Sequence, residues 1–134
     1  MPQLIFVNLP VKDLEVSKSF FTALGYSINP QFTDENAACV VVSDTIYAML
    51  LTEPFFKQFT RKSIADATTT TEVLVCLSAE SREAVDRLAD TALASGGTPA
   101  NDTQDQGPMY GRSFQDPDGH IWEVMYMDPA AVES

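Results

Sequence analysis

Glu123 is a carboxylate in the middle of an otherwise apolar run, Ile121 to Met127. Alternation along that run puts Ile121, Glu123 and Met125 on one side of a strand and Trp122, Val124 and Tyr126 on the other. Burying an unpaired charge is costly, so a carboxylate there needs a ligand, a partner or water. Two readings stay open: a group working inside a cavity, or a glutamate on a solvated sheet face. The chain's one histidine, His120, sits in the turn just before the run, where an exposed turn residue is expected. One turn histidine supports no Ser/His/Asp or Cys/His arrangement, and no glycine-rich phosphate loop is present. Cys39 and Cys76 stand alone in apolar runs and read as buried, reduced thiols.

The elements that must position Glu123 follow from punctuation and period. Asp116-Pro117-Asp118-Gly119 is a tight turn ahead of the last strand. At the other end, Gln3 to Asn8 is strand-like and Pro10 is expected to end it. Asp13 reads as a helix N-cap, with Val16, Phe20 and Leu24 as the apolar stripe, broadened by Phe21, and Gly25 as the stop. Strands are expected near 26–33, 37–42 and 46–52, with Ser43-Asp44 as a turn. From about Thr71 the order repeats. Val73, Val75 and Leu77 alternate with Glu72, Leu74 and Cys76. Ser81 caps a helix with stripe Val85, Leu88 and Ala92, and Ser95-Gly96-Gly97 closes it. A Pro/Asn/Asp-rich stretch then leads to a strand near 109–115. This βαβββ pattern, given twice, is an internal repeat of elements, with module 1 at about 1–65 and module 2 at about 70–128 of a single domain.

At 134 residues the chain is long enough for one domain with a real core. Its net charge of −11 speaks against nucleic acid, whose phosphates it would repel, and against an anionic membrane surface. No apolar run approaches the roughly 20 residues that span a bilayer. The start, Met1-Pro2-Gln3-Leu4, shows no basic region followed by an apolar segment, so a cytoplasmic protein is expected. The segment 53–70 is longer than most connections in a compact domain. It holds Phe55, Phe56 and Phe59 with Lys57, Arg61 and Lys62, three of the eight basic residues. It reads either as a short surface helix packed on the body or as a lid with an aromatic underside and a cationic rim.

The Asp116-Pro117-Asp118-Gly119 turn with Glu123, the Val11-Lys12-Asp13-Leu14 helix entry, Phe20-Phe21 before Leu24-Gly25-Tyr26, and the Gly96-Gly97 helix exit together resemble the vicinal oxygen chelate superfamily. That superfamily includes glyoxalases, extradiol dioxygenases and fosfomycin- and bleomycin-resistance proteins. The resemblance spans about Leu4 to Met127. It implies an α+β fold in which two βαβββ modules form a curved mixed sheet, with helices on the outer face and a ligand cup on the inner face. It also implies a small-molecule ligand or substrate and a homodimer. Carried over by position, the last-strand metal ligand corresponds to Glu123 and the second module's first-strand ligand to Glu72. The other two ligand positions fall at Phe6 and near Met49, which carry no donor of that kind. A divalent metal (Mg, Mn, Zn or Ni) on Glu72 and Glu123 is one expectation, with Asn8 able to add a carbonyl oxygen.

If that fold holds, Glu72 and Glu123 share a cavity, and mutual repulsion makes them an acid and base pair for a lyase or isomerase. The expected lining is Phe6, Asn8, Tyr47, Met49, Leu74, Ser113 and Met125. Arg112 falls on the helix side by alternation; a competing assignment puts it in the cup as the counter-ion of Glu123. The alternative function is ligand sequestration without chemistry, which an apolar lining suits.

Overall fold

The computed structural model describes residues 2–132. The chain divides into two compact units, Met1–Asp66 and Ala67–Ser134, each with its own mixed sheet and helix.

In the first unit the elements run β1 (Ile5–Val11), α1 (Leu14–Ala23), β2 (Ser27–Asn29), β3 (Ala37–Val41), β4 (Ile46–Thr52) and a short α2 (Glu53–Phe56). The sheet order is β1-β4-β3-β2, with β1 parallel to β4 and the other pairs antiparallel. The α1 entry is dictated locally: the Asp13 carboxylate accepts from the Glu15 and Val16 N–H groups, capping two donors the helix cannot satisfy. Gly25 ends the helix at φ +103°, a conformation L side chains resist.

Two expectations are corrected here. Pro10 does not end β1 but lies within it, opposite Leu51. β1 is the outermost strand of this sheet, where a missing N–H is tolerated. The buried face of α1 is Leu14, Ser17, Phe20 and Phe21, while Val16 is 50% exposed. Small Ser17 fits against the sheet where the i+4 reading placed Val16, so the stripe turns by one residue.

In the second unit the elements run β5 (Leu74–Ser78), α3 (Arg82–Ala94), β6 (Thr98–Pro99), β7 (Gln104–Gln106), β8 (Met109–Gln115), β9 (Ile121–Met127) and α4 (Pro129–Val132). The order is β5-β9-β8-β6, with β7 also on β8 and β5 parallel to β9. The stretch 98–106 thus supplies two short strands rather than a plain loop. Ser81 caps α3 through its hydroxyl, which accepts from the Ala84 N–H at 3.0 Å. α3 buries Val85, Ala89 and Ala92 against β8 and β9.

The core lies between each sheet and its helix. Leu9, Val11, Val40, Ala48 and Leu50 fill it in the first unit, and Phe114, Trp122 and Val124 in the second. One face of each sheet is therefore committed to its helix, and the alternate residues form the other face; on the first sheet that face is buried at Ala37, Cys39 and Leu51 and exposed at Phe6 and Asn8.

Arg112 takes the helix side. Its guanidinium donates to Asp86 at 3.0 Å and pairs with Asp90 at 2.8 Å, while the Tyr110 hydroxyl donates to the same Asp86 carboxylate at 2.7 Å. The Tyr110 hydroxyl first, and then Arg112, hold the Asp86 carboxyl below its usual range. A carboxyl whose folded value lies below its unfolded one adds stability above the unfolded value, and that stability is lost as pH falls through the folded value. Asp86→Asn should accordingly flatten the acid limb of the stability–pH curve below about pH 4. Urea unfolding at a series of pH values checks this; an unchanged slope would show the network adds nothing.

Candidate functional site

The open face of the first sheet is built by β1 and β4. Phe6 stands opposite Tyr47 and Asn8 opposite Met49 in the ladder. The Phe6 and Tyr47 rings stack at 4.8 Å between centroids and 12° between planes. The Tyr47 hydroxyl donates to the Asp44 carbonyl at 3.0 Å, which holds the ring by its far end. Phe6 is nonetheless 47% exposed, so the stack presents a wide aromatic surface. The Asn8 amide donates to the Phe6 carbonyl at 3.4 Å, leaving its oxygen free to accept.

The open face of the second sheet is built by β5, β9 and β8. Its rows read Leu74–Ile121–Gln115, then Cys76–Glu123–Ser113, then Ser78–Met125–Gly111. Glu123 is half-buried on this face, with Leu74 and Cys76 exposed beside it. Cys76 therefore departs from the expected buried thiol, whereas Cys39 is buried. Burial first, and then the Glu123 charge, push the Cys76 thiol above its usual range.

Glu72 does not join Glu123. The β5 ladder begins at Leu74, and the residue opposite Glu123 is Cys76. Glu72 is exposed, at a bend two residues before β5 begins. The close carboxylate pair that an acid and base couple requires is not formed by this register.

The two modules match position for position. Asn8 and Cys76 each lie five residues before their helix caps, Asp13 and Ser81. Across the ladder they face Met49 and Glu123. Met49 is thus the first module's counterpart of Glu123, with a thioether where the second keeps a carboxylate.

The carboxylate with the most elaborate surroundings lies in the turn ahead of β9. Asp116 is 3% exposed. Its side chain accepts from the Asp118 and His120 N–H groups and, across the β8–β9 connection, from the Trp122 indole N–H, all at 3.0 Å. Burial pushes its carboxyl above the usual range, against the opposing pull of His120 and these donors. His120 is half-buried, not the exposed turn residue expected. The spacing from Asp116 to Trp122 was the available signal, since a buried indole N–H needs an acceptor.

These donors do not fit a divalent transition metal. Such a site gathers three or more imidazole, thiolate or carboxylate groups with open positions. Among the described residues no three His, Cys, Asp or Glu side chains converge. Phe6 and Met49 stand where the superfamily resemblance puts ligands, and Glu72 is off the ladder.

The sequence description "Bleomycin resistance protein-like N-terminal" matches residues 3–43. A hypothetical protein from S. aureus, of solved structure, is 30% identical with a TM-score of 0.78, covering 94% of this chain and 95% of that one. The chain shares its fold with glyoxalase/bleomycin resistance proteins of solved structure. Two such structures show the likeness at lower identity. A glyoxalase/bleomycin resistance protein/dioxygenase family enzyme from Burkholderia phytofirmans PsJN has 16% identity and a TM-score of 0.76, covering 94% and 99% of the two chains. The fosfomycin resistance protein FosX from Mesorhizobium loti has 12% identity and a TM-score of 0.70, covering 100% and 99%. A comparison with curated proteins gives no match. Among the described residues no helix is long and apolar enough to cross a membrane.

Proposed function

We propose that this chain binds a small, flat, apolar or aromatic molecule on the open face of its first sheet, in the manner of a drug-sequestering protein rather than a metallo-lyase. The observation that carries the reading is the exposed Phe6–Tyr47 stack, with Met49 and Asn8 beside it in place of metal donors. An aromatic ring sliding onto Phe6 removes apolar area from water and adds a face-on contact worth about 1 kcal/mol more. The family description matched over 3–43 supports the same direction.

Thermal shift with bleomycin and with a neutral flat probe, 2-naphthol, tests it. At least one should raise the melting temperature. Phe6→Ala should weaken that binding by about tenfold. No shift with either probe, or equal binding by Phe6→Ala, would overturn the reading.

The competing reading is a lyase or isomerase with Glu123 as base and Glu72 as its partner. The half-buried place of Glu123 on the open face favours it; the ladder offset of Glu72 counts against it. Turnover of a small oxygenated substrate that Glu123→Gln abolishes and Phe6→Ala spares would replace the binding reading.

A further inference from the structure

The second sheet holds a recess of ≈ 20 Å³, lined by Arg112, Ser113, Glu123 and Met125 from β8 and β9, by Asn101 and Asp102 from the loop before β7 and by Gln104 from β7 itself; the Arg112 guanidinium is turned to Asp86 and Asp90 of α3. The loop is tied down: the Asn101 N–H donates to the Ser113 hydroxyl at 2.8 Å, and that hydroxyl donates back to the Asn101 carbonyl at 3.3 Å. Strand β7 then pins Gln104 opposite Gly111. Gly111 matters because a β-carbon there would sit 3.4 Å from the Met125 methyl, so the bare backbone lets that thioether lie across the floor.

The distribution of charge gives this recess its character. The second unit has three arginines, Arg82, Arg87 and Arg112. Arg82 and Arg87 belong to α3, and Arg112 faces α3 from β8. Arg82 is engaged by Asp105 at 2.9 Å and Arg112 by Asp86 and Asp90. Every guanidinium is thus drawn to the helix or to another acid, and among the described residues no ion pair reaches Glu123 or Asp102. A half-buried carboxylate on an apolar face without its own counter-ion favours a ligand that brings one.

We propose that this recess seats the cationic head of an organic molecule, an amidinium or primary ammonium. Glu123 supplies the buried end of a charge-assisted hydrogen bond, Asp102 and Gln104 receive the remaining N–H groups at the mouth, and Met125 lies against the attached ring. The volume admits one N–H-bearing end of the head group beside Glu123 and not a whole drug. The chain's charge of −11 draws such cations in from solution.

The test is titration of the intact protein with benzamidine, benzamide and benzoate, which share a ring and differ in head-group charge. Benzamidine should bind at least tenfold more tightly than benzamide, and benzoate more weakly than either. Glu123→Gln should remove that preference, and Asp102→Asn should reduce it. Urea unfolding of each variant verifies the fold. Equal binding of all three probes, no binding by any, or a preference that survives Glu123→Gln would overturn the proposal. Because the 2-naphthol test reads Phe6 and this one reads Glu123, either reading can fail alone.

Discussion

Replacing Asp116 with alanine is expected to lower the unfolding free energy by about 3 kcal/mol. Three N–H donors converge on this side chain in a site where the residue is 3% exposed. Truncation strands the buried Trp122 indole N–H, and a buried donor without an acceptor costs about 1–3 kcal/mol by itself. The backbone donors of Asp118 and His120 are closer to solvent and add less. Asp116→Asn is a sharper comparison. Its amide oxygen can still serve either the backbone pair or the indole but not both, so it should lose about half as much. Denaturant unfolding with an unchanged slope gives both values. A loss under about 1 kcal/mol for the alanine variant would mean that water replaces the carboxylate.

Gly119→Ala should be comparably damaging, by about 2–4 kcal/mol, for two separable reasons. Gly119 has φ +93°, which L residues resist, and an added β-carbon would lie 2.9 Å from the Ala67 carbonyl oxygen, a backbone atom that cannot swing aside. Gly25 is the built-in control: its φ is +103°, with nothing within 4 Å of the added carbon. Gly25→Ala should show only the conformational cost, about 1 kcal/mol. The difference between the variants measures how firmly the 67–68 segment packs on the turn. Equal losses would show that the segment simply moves away.

What was legible in the sequence was mostly local. The caps at Asp13 and Ser81, the stop at Gly25 and the alternation around Glu123 depend on neighbours within a turn or a strand. The α+β duplication followed from the order of such signals. Pairings between distant segments were not legible. Glu72 shares the alternation of Leu74 and Cys76, and nothing in the chain announces that the ladder starts two residues later. A parallel register is set by packing across the sheet and leaves no turn from which to count. The α1 stripe failed for a related reason, since apolar periodicity cannot foresee that small Ser17 fits a tight contact and leaves Val16 outside. Arg112 was assignable by alternation alone, but its acidic partners on α3 decided between the two orientations.

The Asp116–Trp122 bond also acts as a phase lock. In a strand with a two-residue repeat, anchoring one indole inward compels the next side chain outward, so the direction of the β9 carboxylate is set from the opposite surface. One residue inserted between the turn and Trp122 would force a choice: release the indole, or swing Glu123 toward α3 and turn a tryptophan out to the solvent. Any lineage wishing to retune the recess is thereby confined to point substitutions, because changes of length in this connection strike the core first.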